Sequence, residues 1–419
     1  MPKLIAFYLP QFHPIPENDK NWGKGFTEWT NVTKASPLYE GHYQPHLPAD
    51  LGFYDLRVKQ TRHDQIKLAQ QFGIDGFCYH YYWFSGKRVL HKPLDDMLAD
   101  PESDMPFCVC WANENWTRRW DASDHELILE QKYLPEDNLN FIKDLIPTLQ
   151  DSRYIKIDNK PFLIVYCPQH IPDACKTFEV WREYCREKGL GEIHICGALT
   201  HGNDDYKKFG LDSGVEFPPH NAGEGFMNHE IQFFDTFKGT ALQYAKVARS
   251  FLNKSYKGDQ VFKTVFPSWD NTARTKERAV FMFNSTPENY EYWLSSTIDL
   301  VQSKQQSDSL IFINAWNEWA EGCHLEPDRR HGHAFLQATL NAKNGERQYS
   351  DFPHMQSYME AMAYEVNSRR FWKDIWQLNI YHFWLNFGKL KRMINCRSWL
   401  RTPLLPIVRF TRKLLSLFN

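Results

Sequence analysis

The chain has 419 residues, of which 42% are hydrophobic, 24% charged and 16% aromatic, and Lys+Arg 49 against Asp+Glu 51 gives a formal charge of −2. That apolar content can offset the entropy of ordering a core, so general disorder is excluded, and the balanced charge argues against nucleic acid as a partner. Glycine (21) and proline (23) are scattered without period, which excludes collagen-like and coiled-coil architectures.

Short apolar runs recur along the chain at 4–9, 74–80, 107–111, 162–166, 193–197, 214–217, 261–266 and 310–316. Each is apolar on both faces, the pattern of parallel strands covered on two sides. Helical segments fall between them, among them 55–71, 138–149, 178–188 and 288–304. Eight strand–helix repeats predict an α/β fold, a (β/α)8 TIM barrel over residues 1–345. The rival is a doubly wound open sheet, whose dinucleotide-binding form is weakened because no Gly-x-Gly-x-x-Gly follows the first run.

Nine cysteines include no Cys-x-x-Cys pair, and Cys78, Cys108, Cys110 and Cys196 sit inside apolar runs. They read as buried thiols of a reducing compartment rather than as a nucleophile or zinc site, and no metal or cofactor is expected. The N-terminal segment lacks the pattern of a secretory signal, and no apolar stretch is long enough to span a membrane. A cytoplasmic protein is therefore expected.

Polar and aromatic clusters follow the strands rather than precede them. Pro10-Gln11-Phe12-His13 follows the first, Tyr81-Tyr82-Trp83-Phe84 the second, residues 111–120 the third, Pro267-Ser268-Trp269-Asp270-Asn271 the seventh and residues 316–322 the eighth. In a barrel all of these open onto one face; the alternative is that each cluster caps the core locally. A pyranose has apolar C–H faces and polar edges, so a flat ring with polar neighbours holds it well. On that ground the candidate substrate-binding residues are His13, His80, Tyr82, Trp83, Trp111, Asn113, Asn115, Trp116, Trp269, Asp270, Trp316 and Asn317. Trp120 belongs to the same group of rings, and Asp121 with Arg118 or Arg119 reads either as a ligand contact or as an ion pair.

Glu318 and Glu321 are the candidate catalytic pair. Two carboxyl groups near an anomeric carbon are the usual equipment of glycosidic-bond chemistry, and flanking Trp316 and Trp319 would desolvate them and raise their pKa. Three residues apart, they face opposite ways on a strand but converge if the chain turns at the strand end.

Residues 346–419 form an expected helical extension. From 371 it carries nine basic residues and one acid, Asp374, interleaved with Trp372, Trp376, Trp384 and Trp399. Such a basic amphipathic segment suits an anionic membrane surface, and it equally suits packing on the barrel.

Several motifs together resemble the WbsX-type glycosyltransferase family of bacterial surface-polysaccharide gene clusters. They are Tyr8-Leu9-Pro10-Gln11-Phe12-His13-Pro14, Gly23-Lys24-Gly25-Phe26-Thr27-Glu28-Trp29, Gly41-His42-Tyr43-Gln44-Pro45, residues 76–84, 111–120, Phe266-Pro267-Ser268-Trp269-Asp270-Asn271 and 314–322. That family is similar in turn to glycoside hydrolase family 99, (β/α)8 endo-acting enzymes on α-mannosides, whose Asn-Glu-Trp-x-Glu-Gly segment is here Asn317-Glu318-Trp319-Ala320-Glu321-Gly322. The resemblance implies that Glu318 deprotonates the sugar 2-hydroxyl, whose oxygen attacks its own anomeric carbon. It implies that Glu321 is the general acid/base, with anomeric configuration retained and no metal needed.

Three functions follow as expectations. One is a glycosyltransferase of O-antigen (lipopolysaccharide) or capsule assembly, acting on a lipid-linked glycan while peripheral on the inner face of the plasma membrane. The second is an endo-acting retaining glycosidase or transglycosidase, α-mannosidase-like. The third is a non-catalytic carbohydrate-binding scaffold.

Overall fold

The structure, a computed structural model, describes residues 1–117, 127–304 and 308–353. Residues 118–121, taken above as ring and ion-pair candidates, and nearly all of the expected C-terminal extension, with its basic tail from 371, lie outside the described residues.

Eight parallel strands make the centre: β1 (Lys3–Tyr8), β2 (Gly76–Phe84), β3 (Phe107–Trp111), β4 (Lys160–Val165), β5 (His194–Leu199), β6 (Ser213–Glu216), β7 (Val261–Val265) and β8 (Leu310–Ile313). They neighbour one another in chain order. Ile5 of β1 lies opposite both Phe312 of β8 and Gly76 of β2, so the sheet closes on itself. This is the expected (β/α)8 barrel, and closure excludes the open-sheet rival. All eight apolar runs are barrel strands.

Seven helices cover the outside: α1 (Lys59–Gln71), α2 (Lys92–Leu98), α3 (Asp137–Leu149), α4 (Ala174–Glu187), α5 (Tyr244–Leu252), α6 (Pro287–Ser303) and α7 (Ala334–Asn344). Local chemistry sets their starts. Thr286 accepts a hydrogen bond from the Asn289 amide with Pro287 in the first turn, and Asp173 accepts one from Lys176. Between β5 and β6 the chain makes only a short 3₁₀ turn, Lys207–Phe209. The intervening Gly202-Asn203-Asp204-Asp205 favours turns over helix.

Side-chain parity divides the strands. Phe7, Phe162, Phe262 and Phe312 meet inside the barrel at centroid distances of 5.3–6.2 Å. Phe217 and His80 lie nearer the C-terminal end, with Phe217 4.7 Å from Phe7. Outward-facing residues pack under the helices, where Trp111 stacks on Phe141 of α3 at 4.3 Å and meets Trp181 of α4 at 5.8 Å. Cys78, Cys108, Cys110 and Cys196 are fully buried free thiols. No helix among the described residues is long and apolar enough to cross a membrane. The compact unit that holds the barrel runs to residue 355.

Candidate active site

A cavity of about 210 Å³ opens at the C-terminal ends of the strands. Six sequence-predicted residues line it: His80 and Tyr82 from β2, Asn115 and Trp116 after β3, and Glu318 and Glu321 after β8. Beyond β8 a tight hairpin pairs Asn317 with His324 and Glu318 with Cys323. The 3₁₀ turn Trp319–Glu321 at its tip ends on Gly322, at φ 55°, where an added Cβ would sit 2.9 Å from the Asp270 carbonyl. That turn cancels the odd spacing and directs both carboxyl groups into one cavity.

The residue that joins them is Arg274, from the Thr272–Thr275 helical turn after β7. Its Nη2 donates to Glu318 Oε2 at 3.0 Å and to Glu28 Oε2 at 3.1 Å, while Nη1 donates to Glu321 Oε1. Glu28, the first residue of the Glu28–Val32 helix in the β1–α1 connection, is fully buried. Burial works against the Arg274 charge, but Glu28, Glu321 and Glu318 raise its pKa well above the ordinary value. Burial pushes Glu318 up to about 8 and Glu321 in the same direction, with Arg274 opposing in both. One cation among three carboxyl groups in a dry site favours a shared proton on the Glu318/Glu321 pair, the state that offers an acid and a base together.

The remaining wall mixes polar and aromatic groups. Burial lowers His80 to about 4 and raises the Tyr82 phenol well above its ordinary pKa. Gln11 Nε2 and His80 Nδ1 are buried at the cavity with no hydrogen-bond partner among the described residues. Trp116 lies 5.4 Å from Tyr82 and gives an aromatic side. Opposite the carboxyl pair, Tyr166 bonds His220 Nε2 at 2.8 Å, and Glu114 lies 3.3 Å from His201.

The other predicted residues support this cavity without lining it, each for a physical reason. Trp83 and Trp111 fall on the outward parity of β2 and β3, and the Trp111 indole donates to the Trp83 carbonyl. Trp316 is fully buried against Phe77. Asn317 clamps the hairpin to β1, accepting from the Leu9 amide at 2.7 Å and donating to its carbonyl at 3.0 Å. Asn113 holds Cys167 through its amide and carbonyl. His13 is buried, bonded to the Pro10 carbonyl and lowered to about 4 by burial. Trp269 is buried beside its neighbour Asp270. Asp270 is saturated by His42 at 2.6 Å, Gln44 at 2.7 Å and Thr272; burial opposes its charge, yet these partners hold it at about 2.

Sequence reasoning missed Arg274, Glu28, Gln11, Glu114 and Tyr166. Glu28 stood within a quoted motif without a role, and Arg274 lies three residues beyond another. Metal-type ligand atoms gather in His46, His324 and Asp328, and in Glu114, Cys167 and His201. In the first group His46 Nδ1 and His324 Nε2 already hydrogen-bond each other at 2.9 Å, and in the second burial keeps the Cys167 thiol protonated.

A family model described as Glycosyltransferase WbsX matches residues 4–339. The chain belongs to this family. The uncharacterized protein WxcX of Xanthomonas campestris pv. campestris is 41% identical over 341 residues in strain ATCC 33913, and equally so in strain B100. The match covers 81% of this chain and 49% of WxcX, so the chain spans about half the length of the curated relatives it matches. Among solved structures, a glycoside hydrolase-like protein aligns with TM-score 0.51 at 13% identity, over 81% of this chain and 93% of its own. The GH99 endo-α-mannosidase from Bacteroides thetaiotaomicron, in complex with Bis-Tris-propane, aligns with TM-score 0.49 at 15% identity over 82% and 97%. At 13% identity the first of these likenesses concerns the fold alone.

Two outcomes are expected of this WbsX-family cavity. Removing the Arg274 charge in Arg274→Met leaves Glu28 buried and unpaired, which should cost about 3–5 kcal/mol in denaturant unfolding; a loss within experimental error would refute the central role of the cation. The Glu318/Glu321 pair keeps its shared proton in the folded chain up to about pH 8, whereas the unfolded chain releases it near the ordinary glutamate value of 4.5. The folded state therefore binds more protons across that window, and stability falls as pH rises through it. Glu318→Gln should lack this part of the slope, melting higher than wild type at pH 8 and alike at pH 4.5; parallel melting curves would contradict the raised pKa.

Proposed function

We propose that the protein is a glycosyltransferase of bacterial surface-polysaccharide assembly, O-antigen (lipopolysaccharide) or capsule, acting on a lipid-linked glycan at the cytoplasmic face. Membership of the WbsX family supports the pathway class. The observation that carries the chemistry is the pair Glu318 and Glu321 sharing one guanidinium in a buried cavity.

In the proposed reaction the proton shared by the pair sits on Glu321, and Glu318, ionised, takes the proton of the sugar 2-hydroxyl. The 2-oxygen attacks the anomeric carbon as the bond to the leaving oxygen breaks, and Glu321 gives that oxygen its proton. An acceptor hydroxyl then returns a proton to Glu321 and opens the three-membered ring, while the 2-oxygen recovers its proton from Glu318. Two inversions at carbon give net retention. Gln11 Nε2 and His80 Nδ1, both unpartnered, are suited to sugar hydroxyls, and Trp116 to a C–H face. Arg274 keeps Glu318 from holding its proton too firmly.

Water in the acceptor's place makes the same site a retaining endo-glycosidase or transglycosidase. The carboxyl pair favours that second reading equally, so the experiment must register both directions. Incubation with lipid-linked saccharides and a panel of nucleotide sugars, followed by mass spectrometry, reads a mass gain as transfer and a loss as cleavage. Glu321→Gln should lower whichever activity appears by roughly 10²–10⁴-fold with little change in melting temperature; full activity would remove Glu321 from the reaction.

We also propose that residues 371–419 dock on anionic membrane. Nine basic residues against one acid, interleaved with tryptophans, support this. Deleting 371–419 should shift the protein from vesicle-bound to free in sedimentation with anionic liposomes, most clearly at low salt. Unchanged partitioning would assign the segment to packing.

A further inference from the structure

A second cavity, about 750 Å³, adjoins the first. The two share the segment after β7: Arg274 lines the carboxylate cavity, and Ala273 and Lys276 line the larger one. We propose that this second cavity binds the diphosphate of an activated sugar, an inference that rests on the transfer reading above.

Three exposed lysines from three separate βα connections line it: Lys34 after β1, Lys238 after β6 and Lys276 after β7. Asp235 and Glu277 also line the wall, yet among the described residues none of the three ammonium groups has a carboxylate within 4 Å. Three cations against two acids, with the cations not engaged, form a net positive recess for a multiply charged anion. Ammonium groups on flexible stems suit phosphate oxygens as point charges.

Two further observations point the same way. Lys276 is held at φ 53°, ψ −124°, a conformation that side-chain-bearing residues rarely adopt and glycine adopts freely. Strain of this kind persists where the surroundings impose it and gathers at ligand sites; here it falls on a residue of the cavity wall. The motif Gly23-Lys24-Gly25-Phe26-Thr27-Glu28-Trp29, otherwise explained only at Glu28, supplies the apolar side. Phe26 stacks with Trp22 at 5.8 Å, offering an aromatic shelf beside the charges. The shelf suits whatever the diphosphate carries, a nucleoside base or a polyprenyl chain. Asn31 lines the same cavity and reaches Glu28 Oε1 at 3.5 Å, and Glu28 holds Arg274. A diphosphate here would thus sit one residue shell from the proposed acid/base.

The test is calorimetric titration of the full chain with inorganic diphosphate, uridine diphosphate and farnesyl diphosphate. Inorganic diphosphate should bind, more weakly as salt rises. Lys34→Gln with Lys276→Gln should weaken binding about tenfold or more, Lys34→Arg with Lys276→Arg should retain it, and Lys188→Gln on the outer helix layer should leave it unchanged. Tighter binding of uridine diphosphate assigns a nucleotide source, and tighter binding of farnesyl diphosphate a lipid one. Absence of binding, or equal binding by the Lys→Gln variant, overturns the proposal. If the wild type transfers sugar while its lysines do not matter to diphosphate binding, only this inference falls. If the lysines bind diphosphate in a protein that solely cleaves glycans, the transfer reading falls and the anion site stands.

Discussion

One guanidinium surrounded by three carboxyl groups organises the barrel face at the C-terminal ends of the strands. Arg274 is brought by the connection after β7, Glu28 by the one after β1, and Glu318 and Glu321 by the hairpin after β8. Any of these acids buried alone and ionised would face a desolvation cost of several kcal/mol. Gathered on one cation, they lock three loops that are distant in sequence. The charge count matters as much as the geometry: with one positive group for three acids, full ionisation of the cluster is strongly disfavoured in a medium of low polarity. The same shortage of positive charge that makes the cluster costly leaves a proton where glycosidic chemistry would use one.

That cluster works only if the hairpin cannot drift, and the surrounding polar groups are spent on holding it. Asn317 ties its first strand to both backbone groups of Leu9. Behind it, the buried Glu326 accepts from Trp319, Tyr54 and Gln65 at 2.6–2.8 Å, and burial raises its pKa to about 7. Asp270, by contrast, stays charged, fastening the His42–Gln44 segment to the residues just before Arg274. These side chains reach no cavity. They position those that do, and among the described residues of the cavity wall the buried Gln11 Nε2 and His80 Nδ1 are left without a partner.

The barrel was legible because burial on both faces writes itself into every strand, and eight such runs alternating with helical segments admit few closed arrangements. The site was legible only where chemistry and parity agreed. His80 and Tyr82 share the inward parity of β2, whereas Trp83 takes the outward one and Trp111 packs beside it under α3. A period of two along 80–83 separates the lining residues from the core tryptophan, although ring type and polar neighbours make them look equivalent. Trp316, Asn317 and Glu318 differ in the same way, one beneath, one sideways and one into the cavity. No local pattern marks Arg274: an arginine three residues past an Asp-Asn pair resembles any surface cation until the fold sets Glu28 and the hairpin around it.

The segment from Trp269 to Lys276 then acquires a meaning that neither cavity gives alone. It begins on a saturated anchor at Asp270, passes through the shared cation at Arg274, and ends at a lysine in a backbone conformation that glycine would adopt more easily. Arg274 lies four positions beyond the anchor and Lys276 two beyond the cation, so charge arriving at the larger cavity would act on the carboxyl groups of the smaller one. An anion beside Lys276 would add negative potential to a site already short of positive charge, raising the affinity of the Glu318/Glu321 pair for its proton. Loss of that anion as a leaving group would reverse the shift and favour release of the proton. Coupling of this sign would keep a proton on the pair while the donor is bound, as the acid step at Glu321 requires, and would ease the return of a proton to the 2-oxygen once the leaving group has gone.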